Sequence, residues 1–125
     1  MIVEINKINN DVVYFSSKYG NAFGRWMSSE IPYIKKYGVE FDFDGIITND
    51  NISFCDRKYE INSNNNKIEL SGKIVEIDKE TLLLYIGDTI LLFTISVECS
   101  EKYKQNDYVC ITVPSIDLYN ENLII

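Results

Sequence analysis

Along most of this chain apolar side chains recur at every second position. In VEFDFDG, residues 39–45, Val39, Phe41 and Phe43 alternate with Glu40, Asp42 and Asp44, and Gly45 follows. A period of two sends alternate side chains to opposite faces of an extended backbone, so such a run reads as a strand with one dry face and one wet face. The residues filling these runs are largely Ile, Val, Tyr, Phe and Thr, which fit a pleated surface. The pattern predicts strands near residues 2–5, 11–15, 39–48, 51–55, 67–77, 81–86, 89–97 and 108–113, with a short one near 116–119.

Two turns are signalled. YIGDTI sets Gly87 and Asp88 between apolar runs, and glycine in the first of two loop positions suits a type II′ hairpin. TNDN at 48–51 reads as a second hairpin, because Asn and Asp tolerate the positive φ of a tight turn. NSNNNK at 62–67 is a polar loop tip between strands. One helix is expected after Ser28 or Ser29, with Glu30 and Pro32 in its first turn, Lys35 and Lys36 near its end and Gly38 as its stop. Ile31, Ile34 and Tyr37 would then face the sheet. SEKYKQND at 100–107 suggests a second, shorter helical turn. VEFDFDGIITNDNISF and IELSGKIVEIDKETLLLYI share an order of strand, glycine, strand, turn and strand, a faint internal echo.

These elements make the fold mainly β, with 125 residues forming one domain. From residue 67 onward the order of elements resembles an OB-type small barrel. A long strand with a mid-strand glycine (IELSGKIVEID) precedes the hairpin TLLLYIGDTILLFTI, and a polar, partly helical connection leads to NDYVCITV. The resemblance implies an antiparallel sheet curled into a small barrel or half-barrel, with the glycine letting the long strand bend. OB surfaces that hold single-stranded nucleic acid set cationic side chains beside aromatic ones. The hairpin in that position carries Tyr85 and Phe93 but no base.

Charge narrows the function classes. The net charge is −7, divided as −2 over residues 1–62 and −5 over residues 63–125, and no Lys or Arg lies between Lys79 and Lys102. Such a balance disfavours free nucleic acid as a partner. With no histidine, the usual general base, zinc ligand and partner of a serine nucleophile are missing, which disfavours an enzyme and leaves Ser115 and Asp117 without a triad. The start of the chain lacks a signal-peptide pattern and no apolar run is long enough to span a bilayer, so a cytoplasmic protein without a membrane partner is expected. Cys55, Cys99 and Cys110 are widely spaced and sit in apolar company, as reduced, buried thiols would.

On a strand, Glu40, Asp42 and Asp44 share one face about 7 Å apart, too splayed to converge on one ion, so neither a metal nor a cofactor is expected. As a wet strand face the row needs no further role; as a recognition surface it would greet a Lys/Arg-rich partner. Glu69 repeats the theme on the next long strand, with Glu76, Asp78 and Glu80 at its far end. GNAFGRWMSSE, residues 20–30, shows no clear periodicity and holds the only tryptophan. Trp26 reads either as a core plug beneath a loop or as an anchor that a partner buries.

In size and acidic character, carried by Glu40, Asp42, Asp44, Glu76, Asp78 and Glu80, the chain resembles the immunity proteins of bacterial contact-dependent and other polymorphic toxin systems. A chain rich in Ile, Asn, Lys and Tyr, the mark of AT-rich coding, accords with that setting. The resemblance implies one-to-one occlusion of a basic toxin domain, commonly a nuclease, with carboxylates standing in for the phosphates of its substrate. The alternative is an OB-like ligand-binding module or a subunit of a larger assembly.

Overall fold

The computed structural model describes residues 1–122. Its elements in chain order are β1 (Ile2–Asn9), β2 (Val12–Ser17), β3 (Gly20–Trp26), β4 (Lys36–Asp42), β5 (Ile46–Ile47), β6 (Ile52–Phe54), β7 (Glu60–Asn64), β8 (Lys67–Ile77), β9 (Thr81–Tyr85), β10 (Ile90–Ile95), α1 (Val97–Lys102), β11 (Tyr108–Val113) and β12 (Asp117–Asn120). The fold is mainly β, as the alternation predicts.

The strands form two bodies of sheet. β1, β2, β3, β12 and β4 close into a five-stranded barrel, in which β12 runs parallel to β3 and antiparallel to β4. The closed barrel is therefore built mostly from the N-terminal strands. The segment from residue 67 onward instead forms most of a second, seven-stranded sheet in the order β5-β10-β9-β8-β11-β6, with β7 also paired to β8. Buried side chains of both bodies form one continuous cluster, from Val3, Ile5 and Phe15 in the barrel to Leu70, Leu84 and Phe93 in the sheet.

β8 spans residues 67–77, as its alternation predicts, and Gly72 is the point where it changes partners. Its first half pairs with β7 and its second half with β9, while β11 runs along the other side. A Cβ at Gly72 would collide with the Tyr85 carbonyl oxygen, so no larger residue allows the strands to approach this closely. The β9–β10 hairpin forms as expected, with Gly87 at φ 72°.

TNDN makes a turn but not a hairpin. Asn51 donates its backbone N–H to Thr48 O at 2.9 Å, yet the flanking strands part. β5 pairs in parallel with β10 at one edge of the sheet, and β6 pairs antiparallel with β11 at the other. Residues 46–54 thus tie the two edges together. The positive φ expected at TNDN occurs instead at Asn65 and Asn66, where it closes the β7–β8 hairpin. The internal echo has no counterpart in space, since β4 belongs to the barrel while β5 and β6 belong to the sheet.

The expected helix after Ser28 is absent; residues 27–35 form an irregular loop that runs straight into β4. Side chains four residues away and the backbone of β1 occupy backbone groups of this segment. Trp26 Nε1 donates to Glu30 O at 2.9 Å, Tyr33 N donates to the Tyr37 hydroxyl at 2.8 Å, and Lys35 O accepts from Ile5 N at 3.0 Å. Ile31 and Ile34 stay 77% and 69% exposed, so only Tyr37 of the expected apolar face is buried. The one described helix is α1, earlier than the 100–107 expectation because Ser96 caps it, accepting from Cys99 N.

Two strands escape the alternation reading. In β3 the inward positions are Ala22, Gly24 and Trp26, and a Cβ at Gly24 would overlap Leu118, so a crowded barrel interior demands small residues there. β7 buries only Ile61. Of the three thiols only Cys99 is fully buried, while Cys55 and Cys110 are half-buried; all are free.

α1 and its exit plug the gap bridged by residues 46–54. Ser96 N donates to Ile47 O at 2.9 Å, and the buried Tyr103 hydroxyl donates to Ile52 O at 3.1 Å. Tyr103→Phe strips a buried carbonyl of its donor and should lower stability by about 1–3 kcal/mol, read from urea unfolding with unchanged m-value.

Candidate functional site: an acidic strand between two concavities

β4 carries the acidic row to the surface. Val39 and Phe41 point into the barrel, leaving Glu40 and Asp42 exposed, and Asp44 follows in the exposed connection to β5. None of the three carboxylates has a Lys or Arg within ion-pair distance among the described residues, where the ion pairs are Met1–Glu121, Arg25–Asp11 and Lys58–Glu60.

A hollow opens on each side of Asp42. On the β12 side, a depression of about 320 Å³ is lined by Arg25, Asp42, Asp44, Ser115, Asp117 and Tyr119, among others. Strand register makes this cluster, since Asp117 lies opposite Asp42 on β4 and opposite Arg25 on β3. Burial pushes the Asp117 carboxyl above the usual carboxylate range; Arg25 pulls it down, while Asp42 and Asp44 push it further up. On the β10 side, a groove of about 550 Å³ has Met1, Glu40, Phe41, Asp42 and Glu121 on one wall and Tyr85, Asp88, Thr89, Ile90 and Leu92 on the other.

The remaining candidates lie apart from both hollows. Glu69 sits on β8 between Asn62 and Thr112 and accepts a hydrogen bond from Asn64 at 3.3 Å. Glu76, Asp78 and Glu80 belong to the end of β8 and its turn into β9. Asp78 is engaged within that turn, accepting from Glu80 N, Thr81 N and Thr81 Oγ1 at 2.8–2.9 Å, which holds its carboxyl below the usual range. Trp26 is 6% exposed and packs edge-on against Tyr37 with ring centroids 4.9 Å apart. It is the core plug and not an exposed anchor.

Three contributors were not legible as site residues. Asp117 reads as part of a short strand, Asp88 as a turn residue, and Glu121 belongs to no motif; only cross-strand register and loop placement bring them to β4. The structure also supplies the bases missing from the β9–β10 hairpin. Tyr59, Tyr85 and Tyr108 cluster with ring centroids 5.3 and 6.1 Å from Tyr59, Arg57 lies 5.7 Å over the Tyr108 ring, and Lys73 is opposite both Tyr85 and Tyr108. Among the described residues, no group of three acids or thiols is arranged to hold a metal ion, and no helix is long and apolar enough to cross a membrane. Comparison with protein-family models, curated proteins and solved structures gives no match.

The Asp117 environment has a testable sign. A carboxyl whose value is raised on folding opposes the fold when ionised, a cost present above its folded value and lost as pH falls through it. Asp117→Asn should therefore raise the melting midpoint at neutral pH and leave it unchanged once carboxylates are protonated. In a carboxyl-carbon NMR titration, Asp42→Asn should bring the Asp117 value down.

Proposed function

We propose that this protein binds a basic partner protein through the β4 face, in the manner of an immunity protein that occludes a toxin domain. The observation that carries this reading is the convergence of Glu40, Asp42, Asp44 and Asp117 around one strand flanked by two hollows, with Arg25 and the Met1 ammonium as the cationic groups in the linings. A surface of this kind raises the encounter rate with a positively charged partner and sets its orientation. Concavity adds the area that an interface of about 1,600 Å² requires. No chemistry by this protein is needed: the carboxylates occupy the cationic site that would otherwise take a nucleic-acid phosphate.

Calorimetry against the C-terminal domain encoded immediately upstream of its gene tests the reading, with nanomolar and salt-weakened binding expected. No heat at tens of micromolar would sink it. In stopped flow, Asp42→Lys should slow association about tenfold and flatten its salt dependence. Glu76→Lys, the same charge change away from both hollows, should act far less, and equal effects would remove β4 from the interface.

A second reading has its own observation. The Tyr59, Tyr85 and Tyr108 cluster beside Arg57 and Lys73 sets aromatic faces and cations together, as single-strand binding requires. Quenching of tyrosine fluorescence by an oligothymidylate at low salt, lost in Lys73→Glu, would favour it over the protein-binding reading.

A further inference from the structure

β10 is an edge strand over only part of its length. β5 covers it at Thr94 and Ile95, where Ile46 and Ile47 are the partners. Before that point, among the described residues, no strand pairs with its outer side. Ladder geometry decides which groups are left open. Ile86 N donates to Thr89 O and Ile95 N to Glu80 O, so residues 89, 91, 93 and 95 direct their backbone groups towards β9. The N–H and C=O of Ile90 and Leu92 therefore point the other way, into the groove facing Glu40, Phe41 and Asp42.

The side chains there match the backbone. Ile90 and Leu92 are 54% and 55% exposed, while Leu91 and Phe93 between and beyond them are buried. Lys or Pro on an edge, a bulge, or a covering segment commonly protects such a strand from pairing. No Lys, Pro or bulge lies at residues 90–93, β4 comes close to β10 without pairing with it, and no Lys or Arg occurs anywhere from residue 80 to residue 101. Glu40, Asp42, Asp88 and Glu121 rim the groove, with the Met1 ammonium 3.7 Å from Glu121 as the cation present. A second copy of this chain laid on the same edge would set acid against acid. An extended segment bearing Lys or Arg beside apolar residues would satisfy the open backbone groups, cover Ile90 and Leu92, and neutralise the rim.

We infer that the β10 edge at Ile90 and Leu92 accepts a basic, extended segment of the partner protein as an added strand, with its cationic side chains on Glu40, Asp42 and Asp88. This deepens the protein-binding reading above and rests on it for the identity of the partner. The added strand supplies main-chain hydrogen bonds, and the acidic rim selects charge.

The probe is a capped heptapeptide alternating lysine with valine, titrated into the ¹⁵N-labelled full chain. Saturable shifts of the Ile90 and Leu92 amides are expected, together with slowed exchange of both with solvent. Leu92→Lys should weaken binding about tenfold or more. Thr94→Lys adds the same charge where β5 already covers the edge and should weaken it much less. A peptide N-methylated at alternate residues, or one alternating glutamate with valine, should not bind. Both lysine substitutions are at exposed positions, and an unchanged melting midpoint confirms that each variant is folded.

Equal weakening by Leu92→Lys and Thr94→Lys, or undiminished binding of the N-methylated peptide, would overturn strand addition and leave charge attraction by the β4 face intact. Absence of shifts at Ile90 and Leu92, or dimerisation of the free chain through this edge, would also overturn it. Failure of the protein-binding reading shows separately, as no heat with the upstream-encoded domain.

Discussion

Ile46 and Ile47 run parallel to Thr94 and Ile95, and this short ladder fixes where the exit of β4 meets the second sheet. Ile47 is fully buried and its carbonyl accepts from Ser96 N, so the chain cannot slide along β10 without losing both. Asp42, Phe43 and Asp44 are only a few residues upstream. Their position beside β10 follows from this pairing, as does the packing of Phe43 on Phe93 at 6.3 Å between ring centroids. Of the two hollows that flank β4, one lies beside its pairing with β12 and the other between it and the unpaired part of β10. Cys99 and the Ser96 cap reinforce the same point from the helix side, while Tyr103 holds Ile52 at the other edge.

Electrostatics on the β4 face works against the fold. Asp42 and Asp117 are directly opposite in register, and like charges in that relation destabilise a sheet. Arg25 on the next strand offsets part of the repulsion, and buried apolar contacts elsewhere carry the stability. A surface that keeps an unfavourable arrangement is one in which a cationic partner recovers the most free energy on binding. By contrast Asp78, equally acidic in the sequence, accepts three local donors on its Oδ1 and stabilises a turn. Two carboxylates of one residue type thus differ in role because one is locally satisfied and the other is not.

Legibility varied with the range of the deciding interaction. β8, β9 and β11 could be read almost to the residue, since their alternation is strong and their turns are local. β3 was obscured because its inward positions are small, and the barrel's narrow interior, not any local preference, requires that. The loop at 27–35 carried every local helix signal, yet hydrogen bonds from Trp26, Tyr37 and β1 claimed its backbone groups. Glu40 and Asp42 could be picked out as an outward row. Asp117, Asp88 and Glu121 could not, because their neighbours are set by register and by loops 30 or more positions away in the chain.

By itself the sequence determined the strand-rich class, the wet and dry faces of each clear strand, the acidic balance and the want of a histidine base. All of these depend on residue type and on a period of two, which are local properties. Tertiary structure decided that the closed barrel is N-terminal, that residues 46–54 divide between two sheet edges, and that the β10 edge stays open at Ile90 and Leu92. It also decided that Trp26 is interior and that Lys73 stands beside the tyrosines. Pairing between strands far apart in the chain governs these outcomes, and the free energy of such pairing belongs to both partners together, so neither segment read alone contains it.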